Sequence, residues 1–470
     1  MKNATEQLEK GKILPLVFKL TVPAVIAQLV TFLYNVVDRV YVAKTENGMD
    51  ALAALGIVLP VTLIISSFAN LVGMGGSPRA SMKLGEGDQK EANKIFNLSV
   101  VMLTAFGIII SLVAFFFARR IVVAFGCPDT AVDFAQSYLE IYALGTLFVI
   151  FAQGVNPFIT AQGYSVTAML SVLIGAVANI ALDPLFIFAF GMGVKGAALA
   201  TILSQAISFV WIAIFVFSPK NAFRLKFKDM SFSLKRMFSI LSLGFSPFVM
   251  TITECAIQIV FNVNLNMATG GDKDYTAALT IMLSALQLIS LPLNGLGYGM
   301  QPFVSYNYGK GNTDRLKRGI KDVTIIAFVF GTTLWLVSML FPGIYAFMFS
   351  ASDNVREIVV KYAPLFLMGS VMFFVQMTLQ NINVALGRAG SALILAVTRK
   401  VIILIPLCFV LTYFFGFVGV YMSEGIADLT AGIITAVALF TGFPRAFKKR
   451  ERELAVAAQA EIARNDEKKN

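Results

Sequence analysis

Histidine is absent from all 470 residues, and with it the commonest transition-metal ligand and the usual proton shuttle near neutral pH. Any proton handled inside this chain must ride on carboxylates. Cysteine is almost as scarce. Cys127, Cys255 and Cys408 lie far apart with no metal spacing, so they read as packing residues. Charge is short too: 14% of residues are charged, against about 25% in soluble domains, while 57% are hydrophobic. A soluble globular domain is excluded, and an all-α polytopic membrane protein is expected. There is no phosphate-cradling GxxxxGK[ST] loop, no HExxH and no nucleophile motif. A membrane enzyme thus lacks its chemistry, and no cofactor is expected. The start, MKNATEQLEKGKILPLVFKLTVPAVIAQ, has acidic residues and no small-residue cleavage site, unlike a signal peptide.

What the chain does have is apolar length. Runs of the roughly 20 residues that cross a bilayer as a helix recur twelve times between residues 16 and 441. The one long charged connection, 219–237, divides a first lobe at 16–218 from a second at 238–441. Residues 1–15 precede the first, and a polar tail at 442–470 follows as a surface helix or disordered segment. Of the 38 lysines and arginines, 29 fall on the side that carries both ends, 7 on the other and 2 inside the first span. Positive charge collects on the cytoplasmic side. Both termini are therefore expected in the cytoplasm, and the chain in the cell membrane. The net charge of +11 is topological, which argues against nucleic acid as a partner.

Within the run VTAMLSVLIGAVANIALDPLFIFAF at 166–190, the interruptions Asn179 and Asp183 are four residues apart and share one helix face. An ionisable group at that depth costs roughly 3 kcal/mol or more, which by default marks a functional site. Pro184 follows at once, removing a backbone donor and kinking the helix beside the carboxylate.

The chain also repeats itself. Gly73, Gly75, Pro78, Ser81, Gly85 and Gly87 meet Gly297, Gly299, Pro302, Ser305, Gly309 and Gly311 at a constant offset of 224 residues. The same offset pairs Pro23 with Pro247, Tyr138 with Tyr362 and Gly163 with Gly387. Six spans per unit is an even number, so the halves share one orientation. Parallel repeats of this kind typify secondary transporters that bind substrate between halves and rock one against the other.

Taken together, NVVDRVYV at 35–42, GMGGSPRASMKLGEGD at 73–88, NIALDPLFIF at 179–188, GVKGAALATILSQ at 193–205 and ALGRAGSALI at 385–394 resemble the multidrug and toxic compound extrusion (MATE) antiporters, most closely their MepA-like branch. The resemblance covers about residues 10–445. It implies twelve helices in two pseudo-symmetric lobes forming a V around a central cavity. It also implies export of organic cations and amphipathic drugs in exchange for Na⁺ or H⁺ by a monomer in the bilayer. A first-lobe ion site is implied at the positions matched here by Asp38, Asn179 and Asp183, with Thr201 as a fourth ligand.

Geometry agrees with that carry-over. At about 1.5 Å rise per residue, Asp38, Asp183 and Thr201 reach roughly 28, 25 and 20 Å into a core of about 30 Å. Two carboxylates, an amide and a hydroxyl suit Na⁺, and equally a proton shared between acids. Arg39, about 100° round the helix from Asp38, is expected to snorkel outward. In the second lobe Glu254 is either a cavity acid or a buried polar partner. Gln376 and Gln380 stand where some MATE members add an aspartate, and are expected on the cavity wall.

Tyr34, Asn35, Gln153 and Asn156 are cavity candidates in the first lobe, with Met250 and Gln287 in the second. The thioethers of Met250, Met282, Met300, Met368, Met372 and Met377 suit a promiscuous cavity. Rings such as Tyr34, Tyr138 and Phe158 offer cation–π faces. Glu424 and Asp428, also four apart, are expected to pack against Arg399 or Lys400. The runner-up function is a lipid-linked oligosaccharide flippase, whose cavity should be rich in arginine for pyrophosphate. A channel and a membrane enzyme are remoter rivals.

Overall fold

Long apolar runs with few internal breakers leave the backbone one way to satisfy itself in lipid, as helices. In the computed structural model, which describes residues 2–45, 48–225, 233–349 and 351–467, nearly every such run is helical. The first lobe comprises α1 (Lys2–Lys10), α2 (Ile13–Ala43), α3 (Gly48–Gly85), α4 (Gln89–Phe116), α5 (Ala118–Ala124), α6 (Val132–Thr160), α7 (Ser165–Pro184) and α8 (Gly193–Phe217). The second comprises α9 (Leu234–Thr269), α10 (Lys273–Lys310), α11 (Thr313–Leu340), α12 (Gly343–Met348), α13 (Asp353–Leu367), α14 (Gln380–Ala385), α15 (Ala389–Val397), α16 (Ile405–Phe415) and α17 (Phe417–Glu467). Eleven helices among the described residues are long and apolar enough to span a bilayer. Counted as one span across their 41° bend, Asp353–Met372 and Phe374–Ala385 make a twelfth. The sequence gives no hint of that bend.

The internal repeat is written into individual contacts. Ser81 Oγ donates to Ala161 O at 3.2 Å and Ser305 Oγ to Ala385 O at 2.8 Å. Asn156 donates to Ala168 O at 3.2 Å and Gln380 to Ala392 O at 2.9 Å. Thr130 donates to Asp50 at 3.0 Å and Asn354 to Asp274 at 3.3 Å. Donor and acceptor move together by 224 positions each time, so the two lobes are built on one plan.

The lobes meet through α3 on α9 and α2 on α10. Glycines permit the approach. A Cβ on Gly75 would strike the Gly244 backbone, and one on Gly299 would strike Leu20 and Thr21, the same contact under the repeat. Nearer the terminus-bearing end, Gly85 lies on Tyr306 O and Gly309 on Met82 O, again one contact seen twice.

Both ends of the chain strap this junction. Lys310 pairs with Glu9 of α1 at 2.5 Å and holds that carboxyl below the usual carboxylate range. The pair therefore stabilises the strap above the ordinary carboxylate pKa, and its contribution fades as pH falls through the lowered one. Arg450 of α17 bonds Tyr308 O at 3.0 Å and the Gly309 carbonyl in its own lobe, and Glu86 of the other lobe at 2.8 Å. We expect Arg450→Ala to loosen this end only modestly, because the glycine contacts remain. Thiol labelling of a Ser81→Cys reporter should rise by a small factor.

Two expectations need adjusting here. The tail from residue 442 is a continuous extension of α17 as far as Glu467, with 468–470 outside the described residues. The connection 219–237 is not simply a loop. Phe223 is fully buried and stacks on Phe96 at 5.6 Å, and Arg224 N donates to Asn93 at 3.0 Å, so residues 219–225 pack on the first lobe. Residues 226–232 lie outside the described residues.

Candidate cation site and substrate cavity

Four helices of the first lobe converge on one polar pocket. The run ending at Pro184 is helical because it is apolar and free of internal breakers. Pro184 has no N–H to close the α-helical ladder, and the chain continues as a π-helix over Leu185–Ala189. Such widened turns are frequent at functional sites. Asp183, just before the break, is fully buried, and Asn179 one turn earlier is 2% exposed.

Asn179 Nδ2 donates to Asp183 Oδ1 at 3.2 Å. Asp38 on α2 lies within Coulombic reach of Asp183. Thr201 on α8 donates to Ala197 O at 2.9 Å and lies against the Tyr138 hydroxyl. Three oxygens of this group, Asp38 Oδ1, Asn179 Oδ1 and Asp183 Oδ2, are buried without a hydrogen-bond donor. Unpaired buried acceptors are uncommon and call for an explanation. Here the donor set is acceptor oxygen throughout, which fits a hard cation or a shared proton. The structure thus joins Asn179 to Asp183 by a hydrogen bond and puts Asp38 within Coulombic reach of that carboxylate, with Thr201 beside Tyr138, whose hydroxyl senses both acids.

Three tyrosines adjoin that set. Tyr138 and Tyr142 on α6 stack at 6.2 Å with their rings 17° apart, and Tyr34 lies within Coulombic reach of Tyr142 and Asp38. Tyr142 went unnoticed in the sequence, although its spacing of four from Tyr138 was the available signal.

The second lobe carries a different cluster. Arg399 and Lys400 are consecutive, yet a π-helix over Thr398–Leu404 turns both inward. Arg399 lies 2.7 Å from Asp428 and 3.8 Å from Glu424. Its guanidinium also stands 5.2 Å over the Phe373 ring. Lys400 lies 3.1 Å from Glu254 and 3.9 Å from Glu424. The expected packing of Glu424 and Asp428 on these bases is thus found. Counting Arg399 and Lys400 among the charges outside the bilayer was wrong. They sit roughly 15 Å along the helix that starts at Ala389, where only the acids make them affordable. Removing one partner of a buried pair costs about 3–5 kcal/mol. We therefore expect Asp428→Asn to lower the thermal unfolding temperature of the detergent-purified protein more than any surface carboxamide.

Several cavity expectations are corrected by burial. Gln376 is 4% exposed and donates to Asp428 O at 2.5 Å, and Gln380 is 5% exposed and donates to Ala392 O. Both amides serve carbonyls of neighbouring helices rather than a cavity wall. Asn156 is half-buried and clips α6 to α7 through Ala168 O and Ser171. Phe158 is packed between Phe96 and Phe223, and Met282 and Met300 are fully buried in the core, so none of the three offers a face to a ligand. Tyr34, Asn35, Gln153 and Met250 are half-buried and Gln287 is exposed. The Glu254 side chain is 49% exposed.

Two six-helix lobes on one plan, with an acidic pocket deep in the first, define a two-lobed membrane transporter. The chain belongs to the MatE family, whose model matches twice, over residues 23–185 and 247–410. It is 26% identical to the multidrug export protein MepA of Staphylococcus haemolyticus over 441 residues, covering 92% of this chain and 94% of that protein. Identity to MepA of Staphylococcus aureus strain MRSA252 is 25%, over 89% and 92% of the two chains. Among solved structures, the outward-facing conformation of a multidrug resistance MATE transporter superposes with a TM-score of 0.88 at 23% identity, covering 94% of this chain and 98% of that one. A Pyrococcus furiosus transporter of the MOP superfamily, described as having a binding pocket of reverse polarity, gives 0.87 at 23%, over the same shares.

Proposed function

We propose that this protein exports organic cations and amphipathic drugs across the cell membrane by alternating access, in exchange for Na⁺ or H⁺. The single observation that carries this reading is the set of three donorless oxygens on Asp38, Asn179 and Asp183, deep in one lobe. Positive charge assigns the terminus-bearing end to the cytoplasm, where the glycine contacts close the lobes together. The cavity then opens outward, past Tyr34, Asn35, Gln153, Met250, Gln287 and Glu254.

A cation entering from outside neutralises the Asp38–Asp183 pair, with Thr201 completing the oxygen set. That favours one arrangement of the first lobe and releases drug. A ligand shifts such an equilibrium only through differential affinity for its two states. Drug and cation must therefore favour opposite states. The relatives called multidrug export proteins support the drug side of this reading. An arginine-rich, pyrophosphate-binding cavity is not what these residues build, since the buried bases Arg399 and Lys400 of the second lobe are held by acids.

The reading is tested by ethidium efflux from proteoliposomes under a Na⁺ gradient and a pH gradient imposed separately. One gradient should drive efflux and the other should not. Efflux indifferent to both would refute the exchange.

A further inference from the structure

The second lobe's cluster contains three carboxylates, Glu254, Glu424 and Asp428, and two bases, Arg399 and Lys400. One negative charge is in excess when all are ionised. The members are not equivalent. Arg399, Glu424 and Asp428 have side chains 6%, 2% and 1% exposed, whereas that of Glu254 is half exposed. Asp428 and Arg399 form the tight inner pair, fixed by a hydrogen bond from Nε at 2.7 Å and by the Phe373 ring beneath the guanidinium.

Lys400 is placed differently. Its ammonium, on a side chain only 4% exposed, stands between two acids, nearer the half-exposed Glu254 than the buried Glu424. Glu424 Oε2 is buried and accepts no hydrogen bond. An acceptor thus waits behind the lysine. The first lobe has nothing comparable: 224 residues earlier stand Gly175, Ala176, Ala200 and Ser204 in place of Arg399, Lys400, Glu424 and Asp428.

We infer that Lys400 is a tethered counter-ion of Glu254, displaced onto Glu424 when a monovalent organic cation takes the cavity face of Glu254. The inference rests on the export reading and adds its specificity device. With the cavity empty of cation, the lysine keeps Glu254 from standing as a bare carboxylate. When a cation arrives, the ammonium moves from an acid at 3.1 Å to one at 3.9 Å, and no charge is left unpaired. A neutral or anionic molecule gives the lysine no reason to leave, so the pair screens by charge. Lys400 and Glu424 are positioning residues on this account. Glu424 never touches the ligand.

The test is equilibrium binding of radiolabelled tetraphenylphosphonium to the full chain in nanodiscs. Glu254→Gln should weaken binding by about tenfold, the size of a typical coupling. Glu424→Gln should weaken it comparably although the residue is out of reach of ligand, because Lys400 loses its second seat. That variant leaves Arg399 on Asp428 and Lys400 on Glu254, so each base keeps its nearer acid. Lys400→Met should tighten binding. The double variant Lys400→Met/Glu424→Gln should bind like Lys400→Met alone, since the second seat matters only when a lysine needs it.

Such non-additivity reports direct coupling, and a merely structural role for Glu424 would not produce it. Unchanged binding in Glu424→Gln, or weakening in the double variant equal to that in Glu424→Gln, overturns the tether while leaving the export reading intact. Failure of the unaltered protein to bind the probe at all overturns both.

Discussion

Replacing Asp183 by asparagine should reduce cation-driven drug efflux to the leak rate while the protein still inserts, purifies and unfolds at a near-normal temperature. The substitution keeps shape and volume and removes only the ionisable oxygen. In the structure Asp183 Oδ2 has no donor to lose, and the bond from Asn179 to Oδ1 survives on the amide oxygen. A buried group whose charge was needed only for the structure would betray itself as a stability defect. One whose charge is discharged in each cycle betrays itself as a lost coupling. Moving a two-state equilibrium from one side to the other takes roughly 5 kcal/mol of differential binding, and an isolated amide cannot draw that from a small cation. Efflux should thus fall by at least about a hundredfold, equal to about 2.7 kcal/mol, in proteoliposomes carrying the driving gradient. Full efflux by Asp183→Asn would remove that residue from the mechanism.

The second large effect is expected at the junction of the lobes. Gly309→Leu points a side chain at the Met82 carbonyl, and Gly85→Leu does the same at Tyr306. Overpacking costs about 1–3 kcal/mol. In most proteins this appears as lost stability. On the alternating-access reading the lobes part instead, so the cost falls on the closed arrangement and shifts the population by roughly 5- to 150-fold. Transport should drop by at least about tenfold in either variant, and labelling of Ser81→Cys from the cytoplasmic side should rise sharply. Gly56 is the control. Its Cβ direction is empty, so Gly56→Leu should pump and label as the unaltered protein does. Equal effects at all three glycines would show that helix propensity, and not lobe closure, is being read.

How much of this was legible before the fold was known depended on what hydropathy can see. Asp183 and Asn179 stood out because a charge and an amide interrupt an apolar run, and the spacing of four put them on one face. The repeat was legible because glycines and prolines kept register, and the same glycines proved to be where backbones touch. Arg399 and Lys400 were not. With Arg388 just ahead of the run, two further bases read as ordinary topology although they lie about 15 Å into the span, and only the π-turn at Thr398–Leu404 swings two consecutive side chains inward. Gln376 and Gln380 misled for a related reason. An amide in a span looks like a cavity ligand until the neighbouring helices, here α17 at Asp428 and α15 at Ala392, present carbonyls to it. Tyr142 was hidden by its kind, since one more aromatic in a chain with 12% aromatics carries no signal without its neighbours.

The central claim is that one cation and one drug favour opposite states of the same protein through Asp38 and Asp183. It is tested most directly by measuring tetraphenylphosphonium affinity of the purified protein with Na⁺ raised at fixed pH, and again with pH lowered at fixed Na⁺. For the unaltered chain, one of the two titrations should weaken drug binding by about tenfold or more, the reciprocal of the coupling that drives export. In Asp183→Asn neither should change it. Drug affinity indifferent to both cations in the unaltered protein, or an undiminished response in the variant, would contradict the account.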